Sequence, residues 1–320
     1  MHRYMDYIYA VYKAGSFSAA AKKLYLSQPC LSATVKKAED QLGVPIFDRT
    51  TKPISLTEYG VQYIAFLESI QQLECGFDQY LNDVRGLRTG NLFIGANNVL
   101  ASYVLPGLIH TFKELYPGVQ VQMTEGNISY LENALIGGAI DLVLDNCPMN
   151  TDLFQQHPLG TEHLLLAVHR SFRKDHPSAT SRLTYHDILA NYHMNSKVSA
   201  VSIQAFAHMP FIALRAGNDT RYRMDRLFCN AEVQPDIQLE VDQLTTAYNI
   251  ACSKLGATLV SDTLIYKAPP NPEMDFYKLD DATTTRPIYL YYKRSRYVSL
   301  AMQKFLDVAN LFFSEEPSKR

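Results

Sequence analysis

No stretch of this 320-residue chain stays apolar long enough to span a bilayer, so a helical integral membrane protein is excluded. The opening MHRYMDYIYAVYKAG carries Asp6 and mixes polar with apolar residues, unlike a signal peptide, so the expected compartment is the cytoplasm. The five cysteines (Cys30, Cys75, Cys147, Cys229 and Cys252) are scattered, with no CxxC pair and no Cys/His cluster. That pattern indicates neither a disulfide framework nor a structural zinc site, and buried, inert thiols are expected. There is no GxSxG, P-loop or HExxH motif, and His157, His163, His169 and His176 lack ligand spacing. Nothing therefore points to an enzyme, a metal or a cofactor. The 15 glycines and 15 prolines form no low-complexity tract, and 47% hydrophobic content is ample for two or three packed domains.

What is present is unevenly charged. The first 57 residues hold eight Lys and Arg against four Asp and Glu, while the remainder holds 22 against 28. A small basic head on an acidic body suits a protein that touches DNA with one end.

The head is organised around AAAKKLYLSQPCLSATVKKAEDQLG, residues 19–43. It reads as two helices joined by a tight turn, the first capped by Ser18 and the second by Ser27. Pro29 sits in the first turn, where a missing N–H costs little. Leu31, Val35, Ala38 and Leu42 recur at helical spacing and mark a core face. Gln28, Ser32, Thr34, Lys36 and Lys37 remain for the other side, where amides and hydroxyls read base edges and lysines meet phosphates. A preceding helix with Met5, Ile8 and Val11 or Tyr12 at helical spacing, ending near Gly15, completes a three-helix core.

VPIFDRTTKPISLT then reads as a hairpin, or wing, with Arg49 and Lys52 near its tip, placed for phosphate or minor-groove contact. Thr57 caps a long helix running to about Arg85. In it Tyr63, Ile70, Phe77 and Val84 fall seven apart, as do Phe66, Leu73, Tyr80 and Leu87. That is a coiled-coil seam, which one helix cannot bury alone, so a dimer is expected; packing on the chain's own body is the competing reading. Cys75-Gly76 is a point where this helix could loosen.

RGLRTGN, residues 85–91, reads as a hinge, and strand–helix alternation follows. LFIGA, VQVQM and residues 141–144 are strands, with helices over 103–116 and after Ser129. LLLAVH, PFIAL, IQLEV and ATLVS are strands of a second set, and IYLYYK precedes a helix over 299–313.

The segment from Ala14 to Gly60 resembles the LysR-type transcriptional regulators. The resemblance rests on Ser27-Gln28-Pro29, Ser32, Leu42-Gly43, Phe47, Arg49, Leu56-Thr57 and Gly60. LFIGA, LYPGVQVQMTEGN, IDLVL and KLGATLV follow as weaker landmarks in the expected order, so the likeness covers essentially the whole chain.

It implies an all-α winged helix-turn-helix over 1–60, a dimerising linker helix over 58–88, and an α/β two-lobed effector domain, like periplasmic binding proteins, over 91–320. Lobe one is expected at 91–162 and 268–320, and lobe two at 163–267. The implied DNA-binding residues are Lys22, Ser27, Gln28, Pro29, Ser32, Thr34, Lys36, Arg49, Lys52 and Pro53. The dimer seam is Tyr63, Phe66, Ile70, Leu73, Phe77 and Tyr80. Asn97, Asn98 and Val99, then Asn127, Ile128 and Ser129, then Gly217, Asn218, Asp219 and Thr220 follow strand ends and open helices. An effector is expected there, a carboxylate or similar anion held by helix N-termini and by Arg215, Arg221 or Arg223. Asn97-Asn98 stands where many relatives carry Ser or Thr. The implied partners are double-stranded DNA, a small-molecule effector, further copies in a homodimer or homotetramer, and RNA polymerase. A transport-type binding protein is the alternative for the two-lobed body, opposed by the basic head.

Overall fold

The computed structural model describes residues 4–51, 53–84, 90–175 and 181–314. Lys52, the hinge residues 85–89 and His176 lie outside that set, as does the side chain of Cys75. The chain divides into two compact units, Met1–Asp78 and Gln79–Arg320.

In the first unit, α1 (Met5–Ala14) buries Met5, Ile8 and Val11 and stops at Gly15, whose φ of 60° closes the helix. The cap of α2 (Phe17–Lys23) is Ser16, whose hydroxyl accepts from the Ala19 amide at 3.2 Å. The expected cap, Ser18, lies inside the helix. The cap thus falls two residues earlier than expected, which leaves Ser18 exposed on the helix. α3 (Gln28–Leu42) opens on Ser27, which accepts from the Cys30 amide at 3.4 Å, and closes on left-handed Gly43. β1 (Phe47–Asp48) and β2 (Ser55–Leu56) pair antiparallel as the wing. Then α4 (Glu58–Val84) begins, with Gly60 donating to the Thr57 hydroxyl at 2.9 Å. A β-carbon at Gly60 would collide with the Ile46 carbonyl oxygen, so a side chain is excluded where the helix crosses the wing. Ile64 and Leu67 of α4 are buried in the same core as Leu31 and Val35.

The second unit begins with β3 (Gly90–Ala96), α5 (Asn98–Tyr103), α6 (Leu105–Leu115), β4 (Val119–Glu125), α7 (Ile128–Ile136) and β5 (Leu142–Asp145). β3 pairs parallel with both β4 and β5. The helix expected over 103–116 is α6, preceded by a short helix, α5, that was not expected and meets it at Val104; Asn127 rather than Ser129 caps α7, accepting from the Tyr130 amide at 2.9 Å. A 16-residue strand, β6 (Phe154–His169), then runs from one lobe to the other. Lobe two adds β7 (Arg182–Leu183), α8 (Tyr185–Leu189), β8 (Pro210–Leu214), α9 (Asp219–Asn230), β9 (Asp236–Val241), α10 (Leu244–Cys252), β10 (Thr258–Ser261), α11 (Asp262–Lys267) and β11 (Met274–Lys278). β12 (Thr285–Lys293) and α12 (Leu300–Ser314) return to lobe one. Besides the parallel pairs, which include β8 with β9, antiparallel ladders join β12 to β5 and to β6, and β6 to β10 and β11.

The lobe boundary expected at Tyr266-Lys267 is corrected. β11 pairs with β6 over Leu165–His169, and Met274 and Phe276 lie in the core of lobe two, so the chain returns at residues 284–285. The outward crossing is at residues 163–164, where the partners of β6 change from β12 to β10. Among the described residues no helix is long and apolar enough to cross a membrane.

Candidate DNA-binding and effector sites

Helix α3 turns Leu31, Val35 and Ala38 inward, which leaves Gln28, Pro29 and Lys36 exposed on its outer side, with Lys22 exposed on α2. Ser32 and Thr34 are half-buried: the Ser32 hydroxyl accepts from Arg49 at 3.2 Å, and the Thr34 hydroxyl donates to the Cys30 carbonyl at 2.8 Å. Arg49, expected near the wing tip for phosphate or minor-groove contact, is tied into the head while its side chain stays 40% exposed. One guanidinium nitrogen reaches Ser32, the other pairs with Glu39 at 2.8 Å, and the group lies over the Phe17 ring, 5.0 Å from its centroid. Glu39 is nine-tenths buried, and its other oxygen accepts from the backbone amides of Ile46 and Phe47 at 2.8 and 3.1 Å. Wing and recognition helix are thus locked by one Glu–Arg pair. Pro53 is exposed beside the wing strands, and Lys52 lies outside the described residues.

On α4, Phe66 and Leu73 are exposed, Leu73 by 75%. Tyr63 and Ile70 are only half-buried and pack against the head core, so these two belong partly to their own domain rather than wholly to a seam. Phe77 and Tyr80 are exposed as well, and Tyr80 meets Tyr297 edge-on with ring centroids 6.2 Å apart.

Between the lobes lies a cleft of about 620 Å³. All ten positions expected around an effector line it, from Asn97-Asn98-Val99 through Asn127-Ile128-Ser129 to Gly217-Asn218-Asp219-Thr220. Several are engaged. Asn98 donates to Glu125 at 3.0 Å and accepts from the Thr245 hydroxyl of lobe two at 3.3 Å, a bridge between the lobes. Val99 is buried in the core cluster of lobe two. Asn97, Asn127 and Asn218 cap α5, α7 and α9 through their side-chain oxygens.

Of the three arginines expected at the effector, Arg221 and Arg223 do not line the cleft. Arg221 is held by Asp225 at 2.8 Å and by Glu240, and Arg223 by Asp219 at 2.7 Å and the Thr283 carbonyl at 2.6 Å. Arg215 does line the cleft, paired with Asp242 at 3.3 Å. The guanidinium beneath the cleft is Arg286, which sequence reading passed over. It is buried and bonds Glu162 at 2.7 Å, Asp219 at 2.8 Å and the Thr220 hydroxyl at 3.1 Å, tying the lobe crossing to the start of α9. Asn146 extends the network, donating to Glu162 at 2.6 Å.

Beside this network sits Asp145, buried, with one oxygen accepting from the amides of Asn146 and Cys147 at 2.7 and 2.8 Å. Its other oxygen is buried without a hydrogen bond of ordinary geometry. Burial pushes this carboxyl up to about 6, against the pull of those amides, of the Asn97 side chain and of Arg286. Burial, with the Asp145 and Asp219 carboxylates nearby, pushes the Cys147 thiol up to about 12. The expectation of buried cysteines fails at Cys30 and Cys229, which are exposed.

Residues 85–311 match the LysR substrate binding domain, and residues 2–61 match the bacterial regulatory helix-turn-helix protein of the lysR family. The chain belongs to the LysR family. As such it is a DNA-binding transcriptional regulator with a helix-turn-helix head and an effector-binding body. A probable RuBisCO transcriptional regulator of Gracilaria tenuistipitata var. liui is 27% identical over 310 residues, covering 95% of this chain and 94% of that protein. The HTH-type transcriptional activator CmpR of a Synechocystis species is 23% identical over 299 residues, 93% and 91% of the two chains. Among solved structures, full-length CbnR complexed with its target DNA superposes with a TM-score of 0.65 at 21% identity over 98% of this chain and 99% of that one. A full-length OxyR variant from Pseudomonas aeruginosa gives 0.68 at 20% identity over 96% and 94%. These two likenesses establish the fold of this LysR-family chain.

Glu39, Glu162, Asn146 and Arg286 are the residues sequence reading missed. A signal was available for two of them: Glu162 and Arg286 are lone charges at the ends of the apolar runs HLLLAV and PIYLYY. A charge there must be paired if its strand is buried.

Proposed function

We propose that the cleft binds a small effector and that α3, with Gln28 and Lys36 foremost, reads a DNA major groove. The cleft carries this reading: both lobes line it, and the buried Arg286 network joins them beneath it. An effector that prefers one lobe spacing shifts the balance between open and closed forms by its differential affinity for the two. We take 1–60 as the DNA-binding head, 58–88 as the linker helix and 91–320 as the effector body, working in the cytoplasm as a homodimer or homotetramer that acts on RNA polymerase.

The charges argue for an effector that carries both signs. Asp219 stands in the first turn of α9, where an anion was expected, and Arg286 is already neutralised by two carboxylates. The N-terminus of α7 has no acidic residue in its first turn and suits a carboxylate. Asp219 and Asp242 are already met by arginines, which leaves Glu125 and Asp145 as the lining carboxylates without a cation, and these suit an ammonium or other donor. A small amino acid or similar zwitterion fits both requirements.

The test is a thermal-shift panel on the full-length protein, comparing amino acids with their deaminated acids. We expect stabilisation by one or more amino acids, lost in Ser129→Glu, which sets a carboxylate at the start of α7. Stabilisation by the deaminated acids alone would keep the cleft and sink the zwitterion. A shift unaffected by cleft substitutions would move the effector elsewhere.

A further inference from the structure

Outside the cleft, one cluster of side chains in lobe two has no part in the function proposed above. His163 stands where β6 crosses between the lobes. His193 lies on the short turn Tyr192–Met194 that follows α8, and Asp262 opens α11. His163 Nδ1 and His193 Nε2 converge on the same oxygen, Asp262 Oδ2, at 3.0 and 3.3 Å. Among the described residues these three side chains bring one potential ligand atom each within 4.8 Å of one another.

We propose that His163, His193 and Asp262 bind a divalent transition-metal ion of the zinc, cobalt and nickel class. Two imidazole nitrogens and a carboxylate oxygen form a donor set that such ions favour, and a water completes four-coordination. Atoms about 2.0 Å from a tetrahedral ion stand about 3.3 Å from each other, close to both nitrogen–oxygen separations here.

The surroundings hold the donors in place. Asp262 Oδ1 accepts from the backbone amides of His163 and Thr263 at 3.1 and 2.8 Å, which fixes the carboxylate and turns Oδ2 toward the two rings. The turn bearing His193 starts at Asn191, held left-handed at φ 56° and accepting from the Tyr266 hydroxyl at 2.7 Å. His193 and Asp262 are buried, while the His163 side chain is 25% exposed and offers a route from solvent. None of the three lines the effector cleft. The ion is therefore a second input, clamping three segments of lobe two at the lobe crossing. The sequence shows no ligand motif because the three residues are 30 and 69 positions apart and meet only on folding.

The test uses tag-free, full-length protein stripped with a chelator and titrated with Co²⁺. We expect one ion per chain after gel filtration, with the intense visible bands of four-coordinate cobalt, displaced by Zn²⁺. Zinc should also raise the Tm. In His163→Gln the bands should vanish and affinity should fall by at least about a hundredfold, more than the loss of an outer partner costs. Zinc should leave the Tm of that variant at its value in chelator. If His163→Gln fails to fold, X-ray absorption of the zinc-loaded parent reads the ligand set directly, and sulfur in it overturns the proposal. So does the absence of stoichiometric cobalt, or a spectrum unchanged in His163→Gln. Either leaves the cluster as a hydrogen-bonded pair of imidazoles on a buried carboxylate.

Discussion

The carboxylate of Glu39 accepts two backbone amides and one guanidinium at once, from inside the core of the head. Glu39→Ala strands both amides and unpairs Arg49. At roughly 1–3 kcal/mol for each buried group left unsatisfied, discounted for the exposed side of Arg49, the cost is about 3 kcal/mol. Denaturant unfolding of the DNA-binding unit measures it, and a loss under 1 kcal/mol would mean the wing holds its place without this residue. At Asp145 the sign depends on pH. The folded chain binds the proton more tightly than the unfolded chain, so stability falls as pH rises from the usual carboxylate range through about 6. Asp145→Asn keeps the amide contacts and removes the charge. It should gain about 1 kcal/mol on the parent at pH 8 relative to pH 5, read as Tm at both values; a gain independent of pH would refute buried ionisation as the cause. Cys147, its thiol pushed up to about 12, should resist iodoacetamide at neutral pH while exposed Cys30 and Cys229 are labelled, which peptide mass spectrometry resolves. At this scale sequence reading found the cap Ser27, whose role is local. It missed Glu39 and Arg286, whose partners lie 7 to 10 and 66 to 124 residues away.

Helix α4 shows how a periodic stripe can be divided between two tasks. Its pattern was legible, but spacing alone does not say which rows turn to the helix's own core. Ile64 and Leu67 are buried there, and Tyr63 and Ile70 lean against it, which leaves Phe66 and Leu73 as the better test of dimerisation. Phe66→Asp with Leu73→Asp should convert dimers to monomers by light scattering without changing helix content; dimers that persist would place the interface on another surface. The strands were legible where a bare apolar run sufficed, as in PFIAL and ATLVS. The first half of β6, FQQHPLG, carries Pro158 and Gly160 and reads as a loop. It is a strand because β12 pairs with it, with a register shift opposite Pro158 that accommodates the missing N–H. β11, MDFYK, was not read as a strand because its charges interrupt the apolar run; it is one because β6 and β7 pair with it, and the lobe boundary moved with it.

For the molecule as a whole, charge is partitioned along the chain. The eight cations of the first 57 residues face only four acids, whereas the rest of the chain is acidic. Such a chain should bind DNA through few phosphate contacts, all from the head, with the body repelling the duplex and so setting a polarity on the complex. The affinity should fall linearly in log–log with salt, at a slope set by the number of cations engaged. With Arg49 held by Glu39 and Ser32, Lys22 and Lys36 become the principal described candidates, since both are exposed on the two helices of the motif. Lys36→Ala should reduce the slope by about one and weaken operator and random DNA alike. Gln28→Ala should leave the slope unchanged and narrow the ratio between them. Fluorescence anisotropy at four salt concentrations separates the two effects. Should Lys36→Ala instead lower only operator affinity, Lys36 reads bases, and the phosphate contacts that set the slope come from other cations of the head.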